Sequence, residues 1–185
     1  PIVSFAVESL ITIPGNYELS NFSLKYWTEK GLALADGVLV NSTVWTALKN
    51  SMILAACCAI GAGTLGCFGG YAIVRRWGSK LSSFVNNLTF LPYLIPSMAL
   101  SAIYLSLFAM RRGPVPALYG TFTLLVIIGT VKYLPMASRS GINSMFQISA
   151  TIEESAMIMG IGWWKRMTRI LIPIQKSSVV SGYLL

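Results

Sequence analysis

Long uncharged apolar stretches, separated by short groups of charge, run through most of this chain. Residues 50–74 lie between Lys49 and Arg75, residues 81–110 between Lys80 and Arg111, and residues 113–131 between Arg112 and Lys132. A helix rising 1.5 Å per residue needs ~20 apolar residues to cross ~30 Å of hydrocarbon, so each stretch is long enough to span a membrane. A further uncharged run begins at Ser177, and residues 1–13 resemble the tail of an earlier span with Glu8 near its exit. The pattern predicts the end of a span at 1–13, an external loop at 14–43, spans at 44–75, 84–109 and 114–134, a cytoplasmic loop at 135–172, and the start of another span at 173–185. Pro14-Gly15-Asn16 should turn the external loop, with one short surface helix near Tyr26 and Trp27. The chain begins at Pro1 and stops at Leu185 inside an apolar run, and a fragment of a longer polypeptide is expected.

Composition points to the same solvent. Of 185 residues, 55% are hydrophobic and 11% charged, and the mean hydropathy is +0.67. Soluble domains carry about 25% charged residues, so lipid is the expected environment. The formal charge of +8 does not imply nucleic acid, because the basic residues are too sparse to form a continuous face. They orient the chain instead. Nine (Arg75, Arg76, Lys80, Lys132, Arg139, Lys165, Arg166, Arg169, Lys176) fall on one side and five (Lys25, Lys30, Lys49, Arg111, Arg112) on the other. The side with nine is the expected cytoplasmic side. Histidine is absent, which removes the commonest general base and metal ligand. Cys57, Cys58 and Cys67 all lie in one apolar stretch and read as packing residues, with no metal site.

Inside the first complete span, Ala55, Ala59, Gly63 and Cys67 recur every four positions, and Ala62, Gly66 and Gly70 form a neighbouring stripe. Small stripes let membrane helices approach closely, so Ala59, Gly63, Gly66 and Gly70 are candidate packing positions. Gly61-Ala62-Gly63-Thr64-Leu65-Gly66 also fits a dinucleotide fingerprint, but that motif needs a preceding strand and an acid ~20 positions on. Position 86 is asparagine, and the pattern is not read as a nucleotide site. Pro92 and Pro96 should kink or break the second span, beside a translocation path or as a plain structural bend. Lys132, near the expected end of the third span, reads as a residue that snorkels to the interface.

In the cytoplasmic loop, Thr151-Ile152-Glu153-Glu154 reads as a capping box with Thr151 at the N-cap. A short helix at 152–159 should follow, with Ile152, Ala156 and Met159 on one face, ending at Gly160 and Gly162. A second helix at 163–170 should turn Trp163, Trp164 and Met167 one way and Lys165, Arg166 and Arg169 to water or headgroups. Pro173 suits the first turn of the next span. By residue pattern alone this is a helix-turn-helix under the membrane, to which a soluble partner docks or which rests on lipid.

Glu154-Ser155-Ala156, three residues, Gly160, nine residues, then Ile170-Leu171-Ile172-Pro173 resembles the EAA loop of importer-type ABC permeases. In that family the pattern is Glu-Ala-Ala, three residues, Gly, nine residues, Ile-x-Leu-Pro, so Ser155 and Ile172 depart from it. Asn50-Ser51 opening a small-rich span that closes on Arg75-Arg76, Leu91-Pro92 with Pro96, Lys132-Tyr133-Leu134-Pro135 leading to Arg139, and Gln147-Ile148 extend the resemblance, most closely to the ferric-iron-type branch. Phosphonate, polyamine and thiamine permeases look similar. The resemblance implies an all-α polytopic transmembrane bundle of the type I (MetI-like) kind, incomplete here, in a bacterial inner membrane. It implies a transport subunit without cofactor that couples a translocation path to separate ATPase subunits. Its other partners would be a second permease half, an extracytoplasmic binding protein and membrane lipid. Glu153, Glu154, Ala156, Gly160, Ile170 and Pro173 would form the coupling loop. No G-x-x-x-x-G-K-[ST] phosphate loop is present, so ATP hydrolysis is expected elsewhere. An ion-coupled carrier or channel would need ionisable groups within the spans, where only Lys132 comes close. A membrane enzyme is disfavoured by the lack of histidine and of any acid between Asp36 and Glu153.

Overall fold

A computed structural model describes residues 1–31, 36–114 and 116–184. Positions 32–35 of the expected external loop, Val115 of the expected third span and Leu185 lie outside them. The fold is all-α. Its helices are α1 (Ile2–Glu8), α2 (Lys25–Thr28), α3 (Ser42–Arg75), α4 (Lys80–Leu94), α5 (Ser97–Phe108), α6 (Phe122–Phe146), α7 (Ala150–Ile158), α8 (Trp163–Arg166), α9 (Ile172–Ile174) and α10 (Lys176–Leu184). A 3-10 turn covers Leu19–Asn21, and a widened π turn at Met167–Leu171 joins α8 to α9. The chain divides into two compact units, Pro1–Ile53 and Leu54–Leu185, with the division falling inside α3.

In the first unit the expected span tail is short. α1 ends at Glu8, and Ile11 then bridges antiparallel to Phe22. Asn21 organises the loop: its Nδ2 donates to the carbonyls of Ile13 (3.0 Å) and Asn16 (2.8 Å), and its Oδ1 accepts from the Ile13 amide (3.1 Å). A buried amide that meets its partners on both sides fixes a segment with little apolar core. The short surface helix expected near Tyr26 is α2.

The second unit is built on small residues. α3 and α6 run parallel, because their contacts step together from Gly61 against Thr130, through Gly66 against Ala137, to Gly70 against Gly141. A Cβ on Gly66 would lie 2.5 Å from the Ala137 carbonyl carbon, and one on Gly70 would strike the Gly141 backbone. Of the two stripes, the one through Ala62, Gly66 and Gly70 faces α6. Gly63 meets the ring of Tyr183 on α10, Ala59 is half-buried and Ala55 is exposed. The fingerprint-like run Gly61 to Gly66 lies wholly within α3 and has no strand before it. Cys58 and Cys67 are buried, and the three cysteines are free thiols.

Two of the expected helical stretches differ from expectation. The stretch expected to cross at 84–109 is two helices, α4 and α5, bent by 105° at a break near Ile95 and Pro96. Pro92 stays inside α4, while Pro96 takes an extended conformation (ψ 135°) and caps α5. The helix expected at 114–134 does not stop at 134. α6 starts later, at Phe122, and runs through Pro135 to Phe146. An interior proline costs about 3 kcal/mol, but Pro135, Ala137, Ser138, Gly141, Ile142, Ser144 and Met145 are all buried there, and that burial carries the helix onward. Lys132 therefore lies in mid-helix, exposed, with its Nζ 5.9 Å from the Tyr133 ring centroid, rather than near a helix end. Among the described residues α3 alone has the length and apolarity to cross a membrane by itself, and the α4–α5 pair has them only when taken together.

Candidate functional site

The segment from Gln147 to Gln175 forms a compact hook on the C-terminal ends of α3 and α6. Its first helix, α7, is capped by Ser149, whose Oγ accepts from the Thr151 amide at 3.3 Å. Thr151 lies within the first turn and joins Ser149 through a hydroxyl–hydroxyl bond of 2.8 Å. The expected capping box is thus displaced by two residues, and Glu154 is too far into the helix to cap it.

α7 ends as its glycine demands. Gly160 has φ +70°, the Gly160 amide donates to the Met157 carbonyl (2.9 Å), and the Ile161 amide donates to the Ala156 carbonyl (3.0 Å). These two bonds make a Schellman motif. Gly162 does not help to end α7 but serves as the N-cap of α8.

The faces of α7 also differ from expectation. Ile152 and Met159 are exposed, whereas Glu153 (6% exposed) and Ala156 (2%) point inward. Glu153 is held from two directions. The Tyr71 hydroxyl donates to its Oε1 at 2.6 Å, and Arg75 Nε lies 2.5 Å from its Oε2. Arg166 Nε lies 3.7 Å from Oε1, while Arg166 Nη1 donates to the Ile161 carbonyl at 2.7 Å. Tyr71 and Arg75 stand one turn apart on α3, and Arg166 comes from α8. One carboxylate therefore ties α7 to α3 and to α8. Arg166 turns inward, not to water as expected, because Glu153 is its counter-charge.

Apolar contacts close the hook. Met167 and Leu171 are fully buried with Cys67, Met145 and Ile148. Trp163 and Trp164 lie about 6 Å, centroid to centroid, from the Phe68 ring and remain partly exposed. Ile170 is half-buried in the π turn, and Pro173 sits in the first turn of α9. Gln175 is buried and accepts from Ser144 Oγ at 2.5 Å. The outer side of α7 is left with Glu154, Met157, Ile158 and Met159, and Ile158 is 87% exposed. The structure thus gathers Glu153, Ala156, Gly160 and Ile170 into one hook, puts Glu154 outside it and leaves Pro92 and Pro96 on other elements. Ser149 and Tyr71 were not singled out from sequence, and Arg75 and Arg166 were read there only as basic residues of the cytoplasmic side. Tyr71 and Arg75 show a helical spacing of four, but nothing local marks a partner 82 residues away.

No family model matches the chain. It is similar to permease proteins of Salmonella, provisionally named PhnV of a 2-aminoethylphosphonate transport system. Identity is 25% over 143 residues to the protein of Salmonella paratyphi A and 25% over 142 residues to that of Salmonella typhi, in each case 77% of this chain and 52% of the relative. The protein of Salmonella typhimurium is 24% identical over 135 residues, 73% of this chain and 49% of the relative. The chain spans about half the length of the curated relatives it matches. The similarity supports a transport permease of the ABC kind and lends nothing to the ferric-iron branch in particular.

Proposed function

We propose that this chain is part of the membrane-spanning permease subunit of an ATP-binding-cassette importer. It helps to form the translocation path and couples that path to a separate ATPase through the hook around α7. The observation that carries this reading is the two-sidedness of α7. Its inner face is locked by Glu153 and Ala156, and its outer face offers Glu154 beside the apolar Met157, Ile158 and Met159. A helix pinned to the end of α3 transmits a push as a rigid body, and an exposed apolar surface with one acid suits a docking partner. Closure of two ATPase subunits would drive α7, and α3 and α6 would carry the movement to the path. The bend at Pro96 would sit beside that path. The chain would be oriented with Arg75 in the cytoplasm of a bacterium, would cross its inner membrane more than once and would pair with a second permease half. An extracytoplasmic binding protein would deliver the solute. The chain is a transport subunit and leaves ATP hydrolysis to its partner.

Gly160→Asp tests the coupling role. A side chain at φ +70° is strained, and a new charge enters the docking surface. The full transporter carrying it should reach the membrane yet lose substrate-stimulated ATP hydrolysis and uptake. Retention of both would refute the coupling role of α7.

For the solute, the relatives' names favour a small phosphonate, while the motif resemblance favours ferric iron. Uptake of radiolabelled 2-aminoethylphosphonate and of ferric iron by cells with and without the intact gene separates the two. Uptake of neither would leave polyamines and thiamine as the next solutes to measure.

A further inference from the structure

Between the end of α3 and the start of α4, a cavity of about 430 Å³ opens beside Tyr71, Arg75, Arg76, Leu81, Val85 and Trp163. Its charge is unbalanced. Glu153 brings one negative charge to a cluster that holds Arg75, Arg166 and Arg76, an excess of two positive charges. Arg75 is not saturated by Glu153, because its Nη2 is buried without a hydrogen-bond partner among the described residues. The other wall is apolar. Leu81 opens onto Phe84 and Leu88, which recur along one side of α4 and are all more than half exposed. Trp163 lines the cavity, its neighbour in sequence Trp164 stacks near Phe68, and both are partly exposed, as tryptophans are at the depth of lipid headgroups.

A basic head end that leads into an exposed apolar track fits an amphipathic anion. We infer that the cavity binds the phosphate of an anionic phospholipid of the cytoplasmic leaflet, with an acyl chain along Leu81, Phe84 and Leu88. This rests on the membrane-permease reading. A headgroup there would neutralise the surplus guanidinium charge beside Glu153 and so hold α7 in place on α3.

The test is native mass spectrometry of the purified full transporter, delipidated and then supplied with phosphatidylglycerol or phosphatidylcholine. Wild type should retain phosphatidylglycerol in preference. Arg76→Gln, at an exposed position outside the Glu153 ion pairs, should lower that retention about fivefold, as expected for one basic residue at a membrane surface. Lys165→Gln, exposed and not part of the cavity wall, should leave it unchanged. Equal retention of both lipids by wild type, or no change on Arg76→Gln, overturns the inference. Displacement of phosphatidylglycerol by inorganic phosphate would assign the cavity to free phosphate and overturn the lipid assignment. Loss of ATPase subunits from Arg76→Gln with lipid retention intact would assign it to a protein contact and likewise overturn it. The transport reading fails separately: a chain that associates with no ATPase but still prefers phosphatidylglycerol, in an Arg76-dependent way, upholds the cavity and refutes the importer.

Discussion

Glu153 and Glu154 are chemically the same and adjacent in sequence, yet one is buried among two arginines and a tyrosine and the other faces out. Their substitutions should therefore separate. Glu153→Ala leaves the half-buried Arg75 and Arg166 without a counter-charge, a loss at the lower end of the about 3–5 kcal/mol that breaking a buried pair costs. The purified protein should lose a corresponding part of its melting temperature in detergent. Glu154→Ala should melt within about 0.5 kcal/mol of wild type, as surface changes do, but should weaken ATPase association in a pull-down. If Glu154→Ala melts early and Glu153→Ala does not, the two faces of α7 are reversed. The acid pair was legible in the sequence as a helix-start signal. Its division of labour was not, because the cap is Ser149 and the partners that draw Glu153 inward, Tyr71, Arg75 and Arg166, come from α3 and α8.

At the scale of elements, the parallel contact between α3 and α6 has backbone against backbone where Gly66 and Gly70 meet Ala137 and Gly141. Backbone cannot yield as a flexible side chain does, so the helices must separate to admit any added carbon. Gly70→Leu should cost at least about 3 kcal/mol, at the upper end of overpacking effects, and should abolish a monodisperse peak in detergent size-exclusion. Gly69→Leu, on the neighbouring position with open space around it, should leave that peak in place. Gly160→Ala should cost about 1–2 kcal/mol through its left-handed backbone alone, measured as a fall in melting temperature smaller than that of Glu153→Ala. Gly66 and Gly70 against α6 and the turn at Gly160 lie where spacing along one helix points, whereas Ala55 is exposed and Gly162 caps α8 instead. The end of α6 was not. Pro135 looks like a terminator until the burial that follows it is known.

At the scale of the whole chain, the orientation is open to direct measurement. In a background with Cys57, Cys58 and Cys67 replaced, a cysteine at Lys30 should react with an impermeant maleimide from outside intact cells, and one at Lys165 only after the membrane is opened. The opposite pattern would invert the assignment drawn from the basic residues. By itself the sequence determined the helical class, and it displayed the spacing of the small residues on α3 and the glycine at which α7 turns. Each of these is set by composition or by neighbours within one or two helical turns. Only the tertiary structure decided three further points: that the α4–α5 stretch is bent by 105°, that α6 runs on to Phe146, and that Glu153 rather than Glu154 closes the hook. A proline permits a bend without fixing its angle. Burial and counter-charge come from segments far along the chain, and their energies exist only once those segments meet.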